Sequence, residues 1–372
     1  MNSLPCKWPA EWEPHALTLM AWPENRQTWP GKRLKLAQRV IAELAGTIGR
    51  HEPVVMLAGS ESARSSARSQ LKKAVPDIQI EEQHEARPAG PFVKGTVRLV
   101  PVPVNDIWIR DYGPMGLKGG VDGEAIIFCD WEYNAWGGKY PPWDRDNAVP
   151  AHMARYLKRS LLKPGIVLEG GAIDGNGAGT LLAGEPAICD PKRNPGLSRN
   201  RIEEYLKQFS GAKQIIWLDG ILAGDDTDGH VDQQARFVGP RTILAMTSHD
   251  PAHPNTASLR RNLDRLRKAV DPAGRSFEII ELPMPDTLAN GTTVDGSRHL
   301  PASYINFYVA NGCVLVPRCD ERYDEEVLRI FARCFSGRRV IGVQTADLVW
   351  GQGGIHCVTM QIPATPQRKI SV

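Results

Sequence analysis

The segment GQGGIHCVTMQIP sets Cys357 directly after a glycine-rich turn and next to His356. The glycines Gly351, Gly353 and Gly354 let the backbone bend sharply and approach a ligand. Val358, Met360 and Ile362 then alternate as a half-buried strand does, so the thiol is expected at the mouth of that strand. Such a placement can present a nucleophile. A free cysteine is as often a small buried hydrophobe, so the motif alone leaves catalysis and packing both open. On a shared strand His356 points to the face opposite Cys357, which makes it a structural residue and leaves the proton chemistry to another group.

A second segment, GDDTDGHVDQQ, crowds Asp225, Asp226, Asp228 and Asp232 around His230. Like charges this dense cost energy unless they are solvated or paired. In a chain of formal net charge +3 they suggest a site for a cation, or else a solvated acidic loop. An EF-hand loop needs acids at both ends, where Gly224 and Ala235 stand here. His230 and Asp232 could point two metal ligands the same way along a strand, but no second histidine is near. Two more acids follow strand-like runs: Asp111 in NDIWIRDYGP, after TVRLVPVPV, and Glu169 in VLEGGAID, after GIVL. Each is expected at a strand end. Taken singly, Asp111 could equally pair with Arg110 or cap a turn, and Glu169 could be an exposed edge carboxylate.

Together, Asp111, Glu169, His230, Asp232 and Cys357 stand in an order and a motif context that resemble the agmatine deiminase branch of the guanidine-modifying, or pentein, superfamily. The resemblance runs from PAEWEPHALTLMAWP through NDIWIRDYGP, EGGAIDGNGAGTLLA, RNPGLSR, DDTDGHVDQQARFVGP and YINFY to GGIHCVTMQIP, nearly the whole chain. The same family is often labelled after a bacterial peptidylarginine deiminase, so the resemblance fixes the chemistry better than the substrate.

The resemblance implies that Cys357 is the nucleophile, His230 the general acid and base, Glu169 its orienting partner, and Asp111 and Asp232 the clamps on a guanidinium. Each role makes physical sense. A guanidinium is planar and rich in N–H donors, so two carboxylates can grip its edges by charge-assisted hydrogen bonds and hold the carbon for attack. Trp108 could shape or stack on that plane. Because the positive charge is shared by three nitrogens, the carbon is a poor electrophile and needs a thiolate, helped by a bound cation or by protonated His230. No metal and no cofactor are expected. The implied reaction is hydrolysis of agmatine to N-carbamoylputrescine and ammonia, within putrescine biosynthesis, with deimination of another guanidino compound or of peptidyl-arginine as the alternative.

Departures from the family pattern concern the substrate's tail. Asp226 stands where some agmatine-specific members carry a longer glutamate, and Gln352 interrupts the expected glycine run. Asp226 could still meet the far amino group, directly or through water.

The 372 residues, 42% hydrophobic and 23% charged, can bury a substantial core. No apolar run reaches the roughly eighteen residues of a membrane span, and the first residues lack the apolar stretch of a signal peptide. Seven cysteines without a CxxC spacing argue against a disulfide framework or structural zinc and fit a reducing cytoplasmic compartment. Basic residues are scattered through helices such as NTASLRRNLDRLRKAV, which gives nucleic-acid binding little support. GNGAG lacks the dinucleotide spacing and GQGG the lysine of a phosphate loop, so Asn176 and its glycines suit a hairpin turn. The expected partners are a small cationic guanidino substrate and further copies of the chain in a homo-oligomer.

The elements that must position these residues recur. Helices are expected over 33–49, 147–162, 198–209, 256–270 and 323–335. The last four are followed by the strands GIVLE, KQIIWLD, SFEIIEL and RRVIGVQ, and the first by PVVMLA. Loops after three of the strands carry Glu169, His230 and Cys357, and an earlier unit carries Asp111. Repetition at this length suggests circular assembly, though spacing alone also allows a three-layer α/β domain. The resemblance implies a single catalytic domain over 1–372, a fivefold pseudosymmetric α/β propeller whose loops meet around a central channel. Trp8, Trp12, Trp22 and Trp29, with Trp131, Trp136 and Trp143, are expected to pack loops and rim the entrance.

Overall fold

In the computed structural model, which describes residues 6–86, 90–120, 124–285, 293, 296 and 298–365, five sheets repeat one plan. Strands β1 (His15–Ala21), β2 (Val54–Leu57), β3 (Gln79–Glu82) and β4 (Thr96–Val100) belong to the largest. β5 (Met115–Gly119), β6 (Ala125–Cys129) and β7 (Ser160–Leu162) form the second, and β8 (Ile173–Gly175), β9 (Thr180–Gly184) and β10 (Gln214–Leu218) the third. β11 (Ala235–Gly239), β12 (Thr242–Thr247) and β13 (Glu278–Pro283) form the fourth; β14 (Tyr308–Val309), β15 (Cys313–Arg318) and β16 (Arg339–Gln344) the fifth. β17 (Met360–Pro363) then pairs antiparallel with β1, so the C-terminal end of the chain completes the first sheet.

In each unit an antiparallel pair is followed by a helix that returns the chain parallel to the second strand, as in β11–β12–β13 and β14–β15–β16. The helices form where apolar residues recur at three and four. Arg33–Gly49 buries Leu34, Ala37, Val40, Ile41, Leu44 and Ile48 along one stripe. Arg199–Ser210 starts where the Ser198 hydroxyl accepts the Arg201 N–H and ends at Gly211 in the left-handed region. The buried faces pack into apolar clusters that each draw on more than one sheet, and the largest takes in Trp108 and Cys357 themselves.

The expected helices lie at Arg33–Gly49, Val149–Leu157, Arg199–Ser210, Thr256–Lys268 and Asp324–Cys334. The second is shorter than 147–162 because Lys158 turns left-handed (φ 53°) and Ser160–Leu162 becomes a strand. GIVLE is therefore not that unit's strand: its one ladder contact is a bridge of Val167 to Glu132. TVRLVPVPV leaves the sheet at Val100, where the prolines cannot donate to a ladder. The helix Glu61–Ala74 lies in a stretch whose buried face is only Ala63, Arg64, Ala67 and Leu71, too weak a stripe to read from periodicity. Asn176 does make the hairpin turn between β8 and β9, its side-chain oxygen accepting the N–H groups of Ala178 and Thr180. Among the described residues, no helix is long and apolar enough to cross a membrane.

Candidate active site

The loops that follow β4, β7, β10 and β16 converge. After β4 the chain makes a short helix, Ile109–Tyr112, that carries Asp111; Glu169 comes after β7, His230 and Asp232 after β10, and Cys357 after β16. None of the expected strand ends is a strand end. Asp111 is helical, Glu169 precedes a 3-10 turn at Gly170–Ala172, and Cys357 lies in a turn three residues before β17 begins. The loops are tied by backbone: the Arg110 N–H donates to the Cys357 carbonyl at 3.1 Å. All five side chains are buried, from 0% exposed for Glu169 and Asp232 to 7% for Cys357.

His230 lies between two acids, its Nδ1 3.7 Å from Asp111 Oδ1 and its Nε2 3.7 Å from Glu169 Oε2. At that separation they attract as charges without a hydrogen bond, and Glu169 Oε2, His230 Nε2 and Asp232 Oδ1 have no hydrogen-bond partner among the described residues. Gly171 makes the convergence possible. A Cβ there would lie 2.6 Å from His230 Nδ1, 2.8 Å from Asp111 Oδ1 and 3.0 Å from Asp232 Oδ2, while its N–H donates to Asp111 Oδ1 at 2.9 Å. The Cys357 sulfur is 3.8 Å from Asp232 Oδ2.

The electrostatics follow from this packing. Burial pushes the Asp111 carboxyl up to about 6, with Asp232 and Glu169 adding to the rise and His230 opposing it. Burial lowers the His230 pKa, but Asp111, Glu169 and Asp232 outweigh it and hold the imidazolium up at about 9. Glu169 and Asp232 stay below the usual carboxylate range despite burial, the first through Arg193 and His230, the second through His356 and His230. Burial drives the Cys357 thiol well above its ordinary value, and Asp232 and Asp111 drive it further.

The acidic knot of the sequence comes apart into separate duties. Asp225 accepts the N–H groups of Thr227 and Gly229 and shapes the turn. Asp228 pairs with Lys139 at 2.7 Å and Arg193 at 2.9 Å. Asp226 is half-buried, its carboxylate taking the Tyr140 hydroxyl at 2.8 Å and its carbonyl the Lys139 ammonium. The charges that suggested a cation site are thus met largely by the protein's own donors.

Four contacts lay beyond the sequence reading. Arg193 holds Glu169 at 2.7 Å and reaches Asp228 and the Thr227 carbonyl, which locks the acid's orientation. Asn306, after β13, places its amide nitrogen 3.3 Å from the Cys357 sulfur. Trp136, expected at the rim, donates its indole N–H to Asp111 Oδ2 at 3.0 Å from a left-handed backbone (φ 54°). His356 does not face away from the site, because it and Cys357 lie in a turn and not on a strand: its Nδ1 is 2.8 Å from Asp232 Oδ2. Arg193 and Asn306 sit in RNPGLSR and YINFY, motifs visible without any sign of their side chains' duty.

The glycines before Cys357 serve close approach more than bending. A Cβ at Gly351 would meet the Trp29 ring at 2.2 Å, one at Gly353 the Trp108 ring at 2.2 Å, and one at Gly354 Asn306 Oδ1 at 2.3 Å. The left-handed residue of that loop is Gln352 (φ 80°). Trp108, 5% exposed, therefore packs under this loop and near Trp29.

The model of the Porphyromonas-type peptidyl-arginine deiminase family matches residues 7–363. A Legionella pneumophila protein named "Putative agmatine deiminase" is 34% identical over 98% of this chain and 97% of its own length. The structure of the agmatine deiminase of Enterococcus faecalis superposes with a TM-score of 0.85 at 29% identity, covering 98% of this chain and 99% of that one. A substrate-bound agmatine deiminase variant of C. jejuni does so with a TM-score of 0.82 at 26% identity, covering 97% of each. With its family match spanning all the loops just described, the chain belongs to the Porphyromonas-type peptidyl-arginine deiminase family.

Proposed function

We propose that the protein hydrolyses agmatine to N-carbamoylputrescine and ammonia through a covalent intermediate on Cys357. The observation that carries this reading is the pair of buried carboxylates, Asp111 and Asp232, beside both a histidine and a thiol. A planar cation with N–H donors on both edges fits that pair, and a neutral amide does not.

Guanidinium between the two carboxylates offsets the negative charge that keeps the thiol protonated, so the thiol gives its proton to water as the substrate's charge arrives. The sulfur attacks the guanidinium carbon and forms the C–S bond. His230, an imidazolium at neutral pH, gives its proton to the departing nitrogen, the C–N bond breaks and ammonia leaves. The neutral imidazole then takes a proton from water, whose oxygen attacks the same carbon; the C–S bond breaks and the ureido product is released. Glu169, fixed by Arg193, orients the ring, Asp111 and Asp232 hold the guanidinium, Trp108 supports the wall, and Asp226 meets the tail's ammonium, directly or through water. The relatives' names support agmatine, and so do the sealed surroundings, since five groups at most 7% exposed suit a small substrate better than a peptide.

The same reading takes the five sheets as blades of a fivefold pseudosymmetric propeller in a single catalytic domain, and expects a cytoplasmic homo-oligomer. Ammonia release from agmatine, free arginine, peptidyl-arginine and short guanidino acids tests it, with Cys357→Ala as control. Turnover of agmatine, lost by roughly 10⁴-fold or more in the variant, is expected. Preference for another guanidine would move the substrate and keep the mechanism, and no turnover of any would end the reading.

A further inference from the structure

One buried cluster of charges takes no part in the chemistry above. Glu11, 6% exposed, lies ahead of β1. Its Oε2 meets Arg236 Nη2 at 2.9 Å, Arg110 Nη2 at 3.3 Å and His356 Nε2 at 2.9 Å, while Oε1 accepts the Val309 N–H at 2.8 Å. On the other edge of its ring, His356 Nδ1 stands 2.8 Å from Asp232 Oδ2. The His356 backbone is fixed as well, its N–H donating to Asn306 Oδ1 at 2.9 Å.

Carboxylate oxygens only accept, so both ring nitrogens donate and the imidazole bridges the two acids. The neighbouring cavity, bordered by Glu11, Arg110, Asp174, His356 and Gln361, measures about 10 Å³, too small for the ring to swing into. Stability alone is a weak reason to keep such a cluster, because well-packed apolar residues often serve as well as a buried ion network. Orientation is a better one. Asp232 has one oxygen engaged, Oδ2, and one, Oδ1, without a hydrogen-bond partner among the described residues.

We propose that Glu11 and His356 are positioning residues for the guanidinium clamp: Glu11, pinned by Arg110 and Arg236, orients His356 so that its Nδ1–H occupies Asp232 Oδ2 and Oδ1 stays turned to the substrate. The proposal rests on the deiminase reading for the identity of the bound cation.

The test compares His356→Ala, His356→Asn and His356→Gln in the whole chain. An asparagine amide nitrogen stands near the place of Nδ1 and a glutamine amide nitrogen near that of Nε2, so only the asparagine keeps the donor to Asp232. Two alkylating agents probe Cys357 without turnover: 2-chloroacetamidine, whose cationic head needs the clamp, and neutral iodoacetamide, which does not. In each the sulfur displaces the halide, forming a C–S bond and releasing halide and the thiol proton. The Ala and Gln variants should lose about 10-fold or more of the amidine rate relative to the amide rate, as for a charge-assisted hydrogen bond. They should also raise KM for agmatine more than they lower kcat, and the Asn variant should recover most of both. A loss shared equally by both agents, or a Gln variant as good as the Asn variant, overturns the proposal and leaves His356 a packing residue. Should the wild-type chain turn over no guanidine, the functional reading fails, while the ratio of the two alkylation rates still decides the positioning claim.

Discussion

At the reacting end, Asp111, Glu169, His230, Asp232 and Cys357 are at most 7% exposed, and much of what fixes them is backbone or a buried partner: the Gly171 N–H, the Arg110 N–H, Arg193 and His356. Around Asp226 the contacts come from exposed side chains instead. Tyr140 reaches its carboxylate, and Lys139 reaches Asp228 with each partner about a third exposed, 30% and 31%. Backbone contacts survive almost any substitution, whereas an exposed ion pair contributes little and can be exchanged. If Asp226 meets the substrate's tail as proposed, a scaffold built this way holds one chemistry fixed while the tail is free to change.

The sharpest way to break that contrast is Gly171→Ala. Its Cβ must displace His230 and Asp111 together, so kcat should fall on the order of 10²-fold for every guanidine in the panel. A drop confined to agmatine would mean that Gly171 serves the tail after all.

The pH dependence of kcat/KM tests whether the reacting end ionises as one unit. In the proposed mechanism Asp111 grips the guanidinium as a carboxylate, so activity should fall as pH drops through about 6; His230 acts as an imidazolium, so activity should fall again as pH rises through about 9. Both limbs should be alike for long and short guanidines. Asp111→Asn should abolish the acid limb and shift the alkaline limb down, because its charge raises the His230 value; an unmoved alkaline limb would show that the two do not interact.

Asn306→Ala removes the amide nearest the sulfur and should cost about 10-fold in kcat with KM little changed, measured on agmatine and on a short guanidine side by side. The smallest effect belongs to the tail. Asp226→Asn should raise KM for agmatine by less than about 10-fold and leave a guanidine without an ammonium untouched. Equal effects on both would erase the distinction between the ends.

What could be read from sequence divides along physical lines. The helix Arg33–Gly49 was legible because its apolar residues repeat at the helical period, and that Asp111, Glu169, His230, Asp232 and Cys357 would come together was legible through the family resemblance, since residue type alone left each acid open to a structural duty. GIVLE misled because an apolar run is also what a buried loop looks like, and Ser160–Leu162 stayed hidden because Lys158 turns the chain without a glycine. Asn306 and Gly171 carry no charge, and their importance lies in what they face across the fold. Arg193 is charged, yet arginines abound in this chain and its place against Glu169 depends on two loops meeting.

With Asn306, the unit that had supplied no site residue supplies one, so a loop from every unit reaches the sulfur or its neighbours. Activity is therefore a coincidence signal for the whole fold. Opening any one unit silences the enzyme before the others have melted, so catalysis will report the weakest unit's local unfolding and spectroscopy the average of all five.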